Sequence, residues 1–455
     1  MKNMKKIAAS AAFAVASMGF MAQSAWALLP IEHWKQSSGA EVWLVQSPGI
    51  PMVDVQLAFD AGSRRDPQAQ AGLASAVAMM ASKGVRAEGK GGGDAPALDE
   101  NGLGQAWADL GASFGANAGR DSFTYGLRSL TEPDLLQRSI ALAARQVATP
   151  SWPEAVWQRD RERWAASIKE ADTRPGTVVA KAFRKDVYGS HPYGYQTTGE
   201  TLGQIDIAAM KAFHHELIAA CRAKVSVVGA VSREQADTLV KQLLAPLQAV
   251  NGDDRCQPLS PVAEVATLDK PVTENIPFQS AQAHVLIGQP GIARNNPDFL
   301  AVLVGNHILG GGGFTSRLTE QVREKRGLSY SVYSDFSPGL DRGAFLVALQ
   351  TRPDQAAEAV KVSQEVVRQF VAKGPTEKEL QAAKDNLIGG FALRIDSNSK
   401  LLGNVANIAW NGLPLDYLEH WTDRVQALTV KDVRAAMQRM LQPERMVTVT
   451  VGAKP

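Results

Sequence analysis

The chain has 455 residues, and its 48 Lys and Arg against 46 Asp and Glu give a formal net charge of +2 at pH 7. This near-neutral balance excludes the broad basic surface that binding to nucleic acid or to anionic lipid requires. Two cysteines are too few for a fold built on disulfides.

The first 27 residues have the layout of a secretory signal peptide. A basic start is followed by a short apolar run and by small residues that end at Ala27. The apolar run is short for a membrane anchor, so we expect cleavage after Ala27 and export to a periplasm, with full secretion as the alternative. Cleavage removes three lysines and no acid, which lowers the formal charge from +2 to −1. No other stretch is long and apolar enough for stable insertion into a membrane.

The remaining chain, roughly 430 residues, is too long for one ordinary core, so we expect two or more domains. Alternation of apolar and polar residues predicts strands, and longer apolar stretches predict helices. In the first half the predicted elements are strands at 41–47 and 52–62, helices at 72–84 and near 98–111, and strands at 121–130 and 224–231. In the second half they are a strand at 283–291, helices at 297–309 and 316–326, strands at 328–336 and 343–351, helices from 353 onward, and a strand at 445–453.

The two halves therefore repeat one order of elements. This order predicts two homologous α+β domains, each a mostly antiparallel sheet with helices packed on one face. A polar stretch with several prolines divides the mature chain nearly in half and is the expected linker. We place the first domain at 28–250, the linker at 251–272 and the second domain at 273–455.

Four segments resemble the M16 (pitrilysin/insulinase) peptidase family, most strongly its bacterial two-domain subunits. They are AGSRRDPQAQAGLASAVAMMASKG (61–84), YGSHPYGYQTTGETLGQID (188–206), GGGGFTSRLTEQVREKRGLSYSV (310–332) and GLPLDYLEHW (412–421). The resemblance implies the M16 (LuxS-like metallohydrolase) fold, with the two domains in a clamshell arrangement.

In active members of that family, the helix after GLA carries HxxEH, which holds Zn²⁺ and supplies the general base. The matching positions here are Ser75, Ala78 and Met79. Neither alanine nor methionine can act as a base, and a thioether is a poor ligand for Zn²⁺. The third ligand of the family aligns near Ser167, with Glu170 as the nearby alternative. We therefore expect a degenerate zinc helix and no metal bound by this chain.

The second half keeps a different family feature. Arg323 and Tyr330 match an arginine and a tyrosine that, in the family, reach the zinc site and contact the substrate. Both side chains are hydrogen-bond donors that can hold a scissile carbonyl and stabilise its oxyanion. The alternative is an ordinary surface arginine and a half-buried strand tyrosine; the intact motif favours the functional interpretation. The glycines at 310–313 lack the Lys-Ser/Thr of a phosphate-binding loop and predict a flexible turn or hinge.

The segment 111–130 occupies the place of the family's edge strand, which pairs with a bound peptide. Asn117, flanked by Ala116 and Ala118, falls at the position expected to contact the peptide backbone. An edge strand that is merely protected by Arg120 and Arg128 is an equal alternative.

These features predict a zinc-less subunit of an exported heterodimeric metallopeptidase. Its partner would be an M16 subunit with HxxEH and Zn²⁺, and its substrate would be a peptide or an unfolded polypeptide. The alternative is a peptide-binding, chaperone-like or scaffold protein without a part in hydrolysis. An active zinc peptidase is remote, because no ligand set is visible. The sequence leaves open whether Cys221 and Cys256 form a disulfide.

Overall fold

A computed structural model describes residues 30–87, 95–251 and 256–454. The predicted signal peptide lies outside the described residues. The strands run as follows: β1 Glu32–Lys35, β2 Glu41–Gln46, β3 Met52–Phe59, β4 Gly84–Val85, β5 Leu98–Asp99, β6 Ser113–Ala118, β7 Phe123–Leu130, β8 Lys224–Gly229, β9 Val272–Ile276, β10 Ala283–Pro290, β11 Ser331–Phe336, β12 Ala344–Thr351 and β13 Val447–Val451.

Helices lie between these strands in both halves, with one run of five helices in each half. They are α1 Leu73–Met80, α2 Glu100–Asp109, α3 Pro133–Ala148, α4 Glu154–Ala171, α5 Pro175–Tyr188, α6 Gly199–Gly203, α7 Ile207–Leu217, α8 Arg233–Asn251, α9 Phe299–Asn306, α10 Ala356–Lys373, α11 Glu377–Gly389, α12 Asn398–Asn411, α13 Trp421–Ala427 and α14 Val430–Met440. Two short π-helical segments, His307–Gly311 and Thr319–Glu324, follow α9. None of the described helices is long and apolar enough to cross a membrane.

Each half contains one large sheet. The first has the strand order β1-β2-β8-β3-β7-β6, and the second has the order β11-β12-β10-β13-β9. Only the pairs β2–β8 and β9–β13 within them are parallel. The predicted fold class, two α+β domains with mostly antiparallel sheets, is confirmed. The exact domain boundaries stay a prediction.

Each half contributes one helix that packs on the sheet of the other half, and we call this arrangement the helix exchange. In the first sheet, Val42 and Leu44 of β2 face one core, while Trp43 and Val45 face the core of the second half. That second face is covered by α12, which packs on β2, β3 and β8. Reciprocally, α5 of the first half covers the outer face of β10 and β13. Each sheet therefore buries both faces, one under its own helices and one under a helix of the other half.

A packing contact holds α5 on the second sheet, and a hydrogen bond holds α12 on the first. Phe183 of α5 lies against β10 at Gly288, where an added Cβ would come within 2.9 Å of its ring. Lys224 of β8 donates through Nζ to the carbonyl oxygen of Ala409 at 2.9 Å, which caps the carboxyl end of α12. Burial lowers the pKa of Lys224, while the negative charges of Glu41 and Asp60 act to raise it.

Several predicted elements need correction. The helix predicted over 72–84 ends at Met80, and Gly84 lies in the short strand β4 instead of ending the helix. The segment predicted as a helix at 316–326 is largely a π-helical segment. Tyr330 precedes β11 and is not part of that strand. The sequence also did not predict β1. The open question of the cysteines is answered by a Cys221–Cys256 disulfide, with Cα atoms 5.8 Å apart.

The exchange predicts that the two halves unfold together. Phe183→Ala removes a buried ring that belongs to one half and packs on the other, so we expect the free energy of unfolding to fall by about 3–5 kcal/mol. Urea unfolding followed by circular dichroism and by tryptophan fluorescence should give one coincident transition.

Leu393→Ala is the control, because this apolar side chain is 67% exposed and its loss should change stability by less than about 0.5 kcal/mol. Two separate transitions in the wild-type protein would contradict the cooperative arrangement.

Candidate functional site

Helix α1, which the sequence predicts to be a degenerate zinc helix, begins at a buried acid. Gly72 precedes it with φ +110°, a conformation that favours glycine, and Thr197 leaves no room there for a Cβ. Asp66 accepts hydrogen bonds from the backbone N–H of Gly72 (2.8 Å) and Ala74 (2.9 Å). It thereby satisfies amides at the start of α1 in the manner of an N-cap. Burial raises the pKa of Asp66 to about 6, while these backbone donors act to lower it.

The three predicted positions share one face of α1. Ser75 and Met79 are half-buried, and Ala78 is buried close beside them. Their spacing of three and four residues places them together, as the ligand geometry of the family requires. The donor set does not fit Zn²⁺, because it offers one hydroxyl, one methyl group and one thioether. Across the described ranges, no group of three or more His, Cys, Asp or Glu could hold a metal ion.

The two candidates for the third ligand lie on α4. Ser167 and Glu170 are both exposed, and Glu170 forms an ion pair with Arg174 one turn further along the chain. Neither completes a ligand set with α1, since α1 itself supplies no imidazole or carboxylate.

Strand β6 forms the edge of the first sheet and packs beside α1. Asn117 is exposed, whereas Ala116 and Ala118 are half-buried against the first core. In the part of the chain that the structure describes, β6 pairs only with β7, and its outer edge has no backbone partner. Arg128 forms an ion pair with Asp54 across the face of the sheet, and Arg120 contacts Ser337. Neither of these arginine contacts occupies the edge itself.

The corresponding edge of the second sheet, β11, is partly covered by a side chain. The side-chain amide of Asn306 donates to the backbone carbonyl of Ser334 in β11 at 3.2 Å, and the Ser334 hydroxyl donates back to Asn306 at 2.7 Å. A side chain thus occupies part of the edge where a further strand would otherwise pair. The two halves therefore differ, and β6 is the better edge for adding a peptide strand.

The turn at the end of β6 is anchored to the second half. Asp121 accepts hydrogen bonds from the Tyr193 hydroxyl and from the backbone N–H of Leu340. Arg120 donates to the Ser337 carbonyl at 3.0 Å and lies over the ring of Tyr193. Sequence reasoning missed this network, because its members come from three distant segments. The second half thereby holds one end of the open edge strand in place.

The buried His191 has a structural role. Its Nδ1 accepts from the backbone N–H of Tyr193 at 3.1 Å, and its Nε2 lies 2.8 Å from the Ala263 carbonyl, which fits a neutral ring with Nε2–H donating. Burial lowers the pKa of His191, which favours this neutral form.

Arg323 and Tyr330 lie on the surface of the second half. Tyr330 is 88% exposed, and Arg323 is half-buried with its guanidinium 4.8 Å from the ring centroid of Phe314. Among the described residues, no carboxylate lies within 4.0 Å of the Arg323 guanidinium. Two neighbouring charges, Lys325 and Glu320, pair with each other. Arg323 and Tyr330 therefore keep their donors available to a group outside the chain.

Comparison with known families gives two matches that together cover most of the chain. Residues 41–201 match the family model described as insulinase (peptidase family M16), and residues 204–387 match the model described as peptidase M16 inactive domain. Arg323 and Tyr330 fall within the second match.

Some similar proteins are described as proteases, and others are described as inactive or as non-peptidases. A crystal structure described as a peptidase M16 inactive domain, from Pseudomonas fluorescens, is 35% identical with a TM-score of 0.86 and covers 94% of this chain and 98% of that one. A protein named uncharacterized zinc protease, from Streptomyces coelicolor, is 30% identical over 62% of this chain, and the match spans only 62% of that relative's length. A Helicobacter pylori protein named a non-peptidase homolog is 23% identical over 84% of this chain and 85% of its own.

The geometry of α1 predicts that a metal site can be rebuilt on its face. In the double variant Ser75→His/Met79→His, two imidazoles four residues apart should bind Zn²⁺ at least about tenfold more tightly than either single variant. Titration of the isolated chain with Zn²⁺ by calorimetry measures this. Equal affinity of the single and double variants would contradict the shared face.

The buried Asp66 predicts a pH dependence. Its pKa in the folded chain, about 6, exceeds the ordinary value of 3.8, so its stabilising effect is full below pH 3.8 and is lost as the pH rises through 6. Between pH 4 and pH 7, we expect the unfolding free energy of the wild-type chain to fall relative to that of Asp66→Asn by on the order of 3 kcal/mol. Urea unfolding of both proteins across this range checks it, and a constant difference would refute the assignment.

Proposed function

The chain belongs to the M16 peptidase family, and from that premise we propose that it is the zinc-less subunit of an exported heterodimeric M16 metallopeptidase. The observation that carries the proposal is the combination of two surfaces. Positions 75, 78 and 79 on the face of α1 carry no imidazole or carboxylate, whereas Arg323 and Tyr330 lie at the surface, and no acid among the described residues pairs with Arg323. A chain with donors and no metal ligands is suited to complete another subunit's site.

The partner would be an M16 subunit that carries HxxEH and supplies the Zn²⁺ and the general base. This chain's contribution would be electrostatic. The Arg323 guanidinium and the Tyr330 hydroxyl would donate hydrogen bonds to the oxygen of the scissile carbonyl. They would stabilise its negative charge as the tetrahedral intermediate forms, a type of interaction worth about 3–4 kcal/mol per donor in comparable sites.

The peptide substrate would be held in part by β6. Its open edge offers backbone groups to an extended peptide, and Asn117, between Ala116 and Ala118, adds an exposed amide. Small side chains on both sides allow the close approach that strand addition needs. An unfolded segment or short peptide can pair in this way, whereas a folded protein cannot. The predicted signal peptide supports a periplasmic location for this reaction.

A second function, a peptide-binding or scaffold protein without hydrolysis, is favoured by the same open edge of β6. The two proposals differ in whether Arg323 and Tyr330 contribute to turnover. A complex with an HxxEH subunit that is inactive on every peptide tested would favour the scaffold.

The proposal predicts the effect of removing each donor. Mixed with its HxxEH partner, the chain should support peptide hydrolysis, and Arg323→Ala or Tyr330→Phe should lower kcat by about tenfold or more. Steady-state cleavage of a fluorogenic peptide measures this, with partner and chain at concentrations that saturate the complex.

Matched controls lie close by. Arg326 is an exposed arginine that contacts only Gln321 in the described structure, so Arg326→Ala should leave kcat within about twofold. Tyr333 is a partly exposed tyrosine three residues after Tyr330, and Tyr333→Phe removes a hydroxyl without a proposed role. Equal losses in the test and control variants, or no loss in either, would refute the assigned roles.

A further inference from the structure

Phe314 is an aromatic residue on the surface. It is not part of either core, and it is not one of the proposed catalytic donors. It is 71% exposed, although a large aromatic side chain is more stable when buried. The ring contacts Arg323, whose guanidinium carbon lies 4.8 Å from the ring centroid. At this distance a cation and the face of an aromatic ring attract each other.

The position of Phe314 is set by the four glycines before it. An added Cβ at Gly310 would lie 2.4 Å from the backbone nitrogen of Ser334, and one at Gly312 would lie 2.6 Å from the His307 carbonyl oxygen. Gly313 has φ +64°, which side chains rarely adopt. Gly310 and Gly312 are needed for close packing, and Gly313 is needed for the left-handed backbone conformation of the turn. The segment predicted as a flexible turn or hinge is closely packed, and it places Phe314 beside Arg323.

Arg323 needs such a support. Its long side chain has many rotamers, and no described carboxylate lies close enough to fix one of them. A carboxylate would also occupy the N–H donors that the proposed reaction requires. An aromatic ring holds the guanidinium by its flat face and leaves the N–H groups at its edge free to donate.

We propose that Phe314 is a positioning residue, whose ring holds the Arg323 guanidinium ready to donate to the substrate carbonyl. The expected effect of Phe314 on catalysis rests on the proposed function. The contact itself does not depend on that function. Phe314 acts through Arg323 and makes no direct contact with the reacting atoms.

The contact is tested on the isolated chain. The Nε–H and side-chain protons of Arg323, labelled with ¹⁵N and ¹³C and assigned with an Arg323→Lys variant, should show an upfield ring-current shift in the wild type. Phe314→Leu should remove the shift, Phe314→Trp should retain it, and Tyr333→Leu should leave it unchanged. An unshifted Arg323 in the wild-type chain would overturn the inference.

The consequence is tested in the complex with the HxxEH subunit. Phe314→Leu should lower kcat about two- to fivefold with little change in KM, the size expected for an exposed cation–π contact, and Phe314→Trp should restore it. In an Arg323→Ala background, Phe314→Leu should have no further effect. An equal loss in both backgrounds would mean that Phe314 contacts the substrate itself and would overturn the positioning role.

The two proposals fail in different ways. If Arg323→Ala leaves kcat unchanged while the ring-current shift is present, the proposed function fails and the contact between Phe314 and Arg323 stands. If Arg323→Ala lowers kcat and Phe314→Leu does not, the proposed function stands and the positioning role is overturned.

Discussion

The structure depends on the burial of both faces of each sheet, which neither half achieves with its own helices. α12 covers the free face of the first sheet, and α5 covers the free face of the second. Val179, Phe183 and Val187 of α5 would be exposed if the halves separated, as would Trp43 and Val45 of β2. The hydrophobic cost of separation makes the two halves one cooperative unit. The open edge of β6 and the pair Arg323 and Tyr330 therefore belong to one body, and the Asp121 network adds a polar link between its halves.

Within this frame, α1 is held by its capped start and by its packing in the first core. Asp66 satisfies the amides at its start, and its buried residues fill the first core. Ser75 and Met79 lie on a partly open face of α1, where a substitution costs less stability than it does in the core. On the surface of the second half lie an exposed tyrosine and an arginine that has no described acid partner. That contrast favours a division of labour between subunits.

Much of the fold could be predicted from the sequence, because local patterns carry it. The alternation of Phe123, Tyr125 and Leu127 predicted β7, and all three are buried on one face. The apolar face of α5 indicates burial, but its spacing cannot say which sheet it covers, so the helix exchange was not predictable. The strand β1 has only four residues, too few for a clear period of two. The end of α1 was misplaced because Gly84 resembles a helix stop and serves a strand instead.

In the candidate site too, the sequence predicts features that depend on local geometry and misses those that depend on distant contacts. Ser75, Ala78 and Met79 share a face because helical geometry requires it, and the sequence sufficed to predict this. Asp66 caps amides six and eight residues further along, a spacing outside the usual N-cap signature. The contact between Phe314 and Arg323 depends on the path of a glycine turn through close packing, which no local rule supplies. The disulfide likewise depended on the approach of two distant segments.

The central claim is that this chain donates hydrogen bonds to a reaction at a metal held by another subunit. The most direct measurement is a structure of the chain in complex with its HxxEH partner and a bound, uncleaved peptide. The account predicts that the Arg323 guanidinium and the Tyr330 hydroxyl lie within hydrogen-bonding distance of the carbonyl oxygen at the partner's Zn²⁺. A complex in which both side chains face solvent, away from the metal and the peptide, would contradict it.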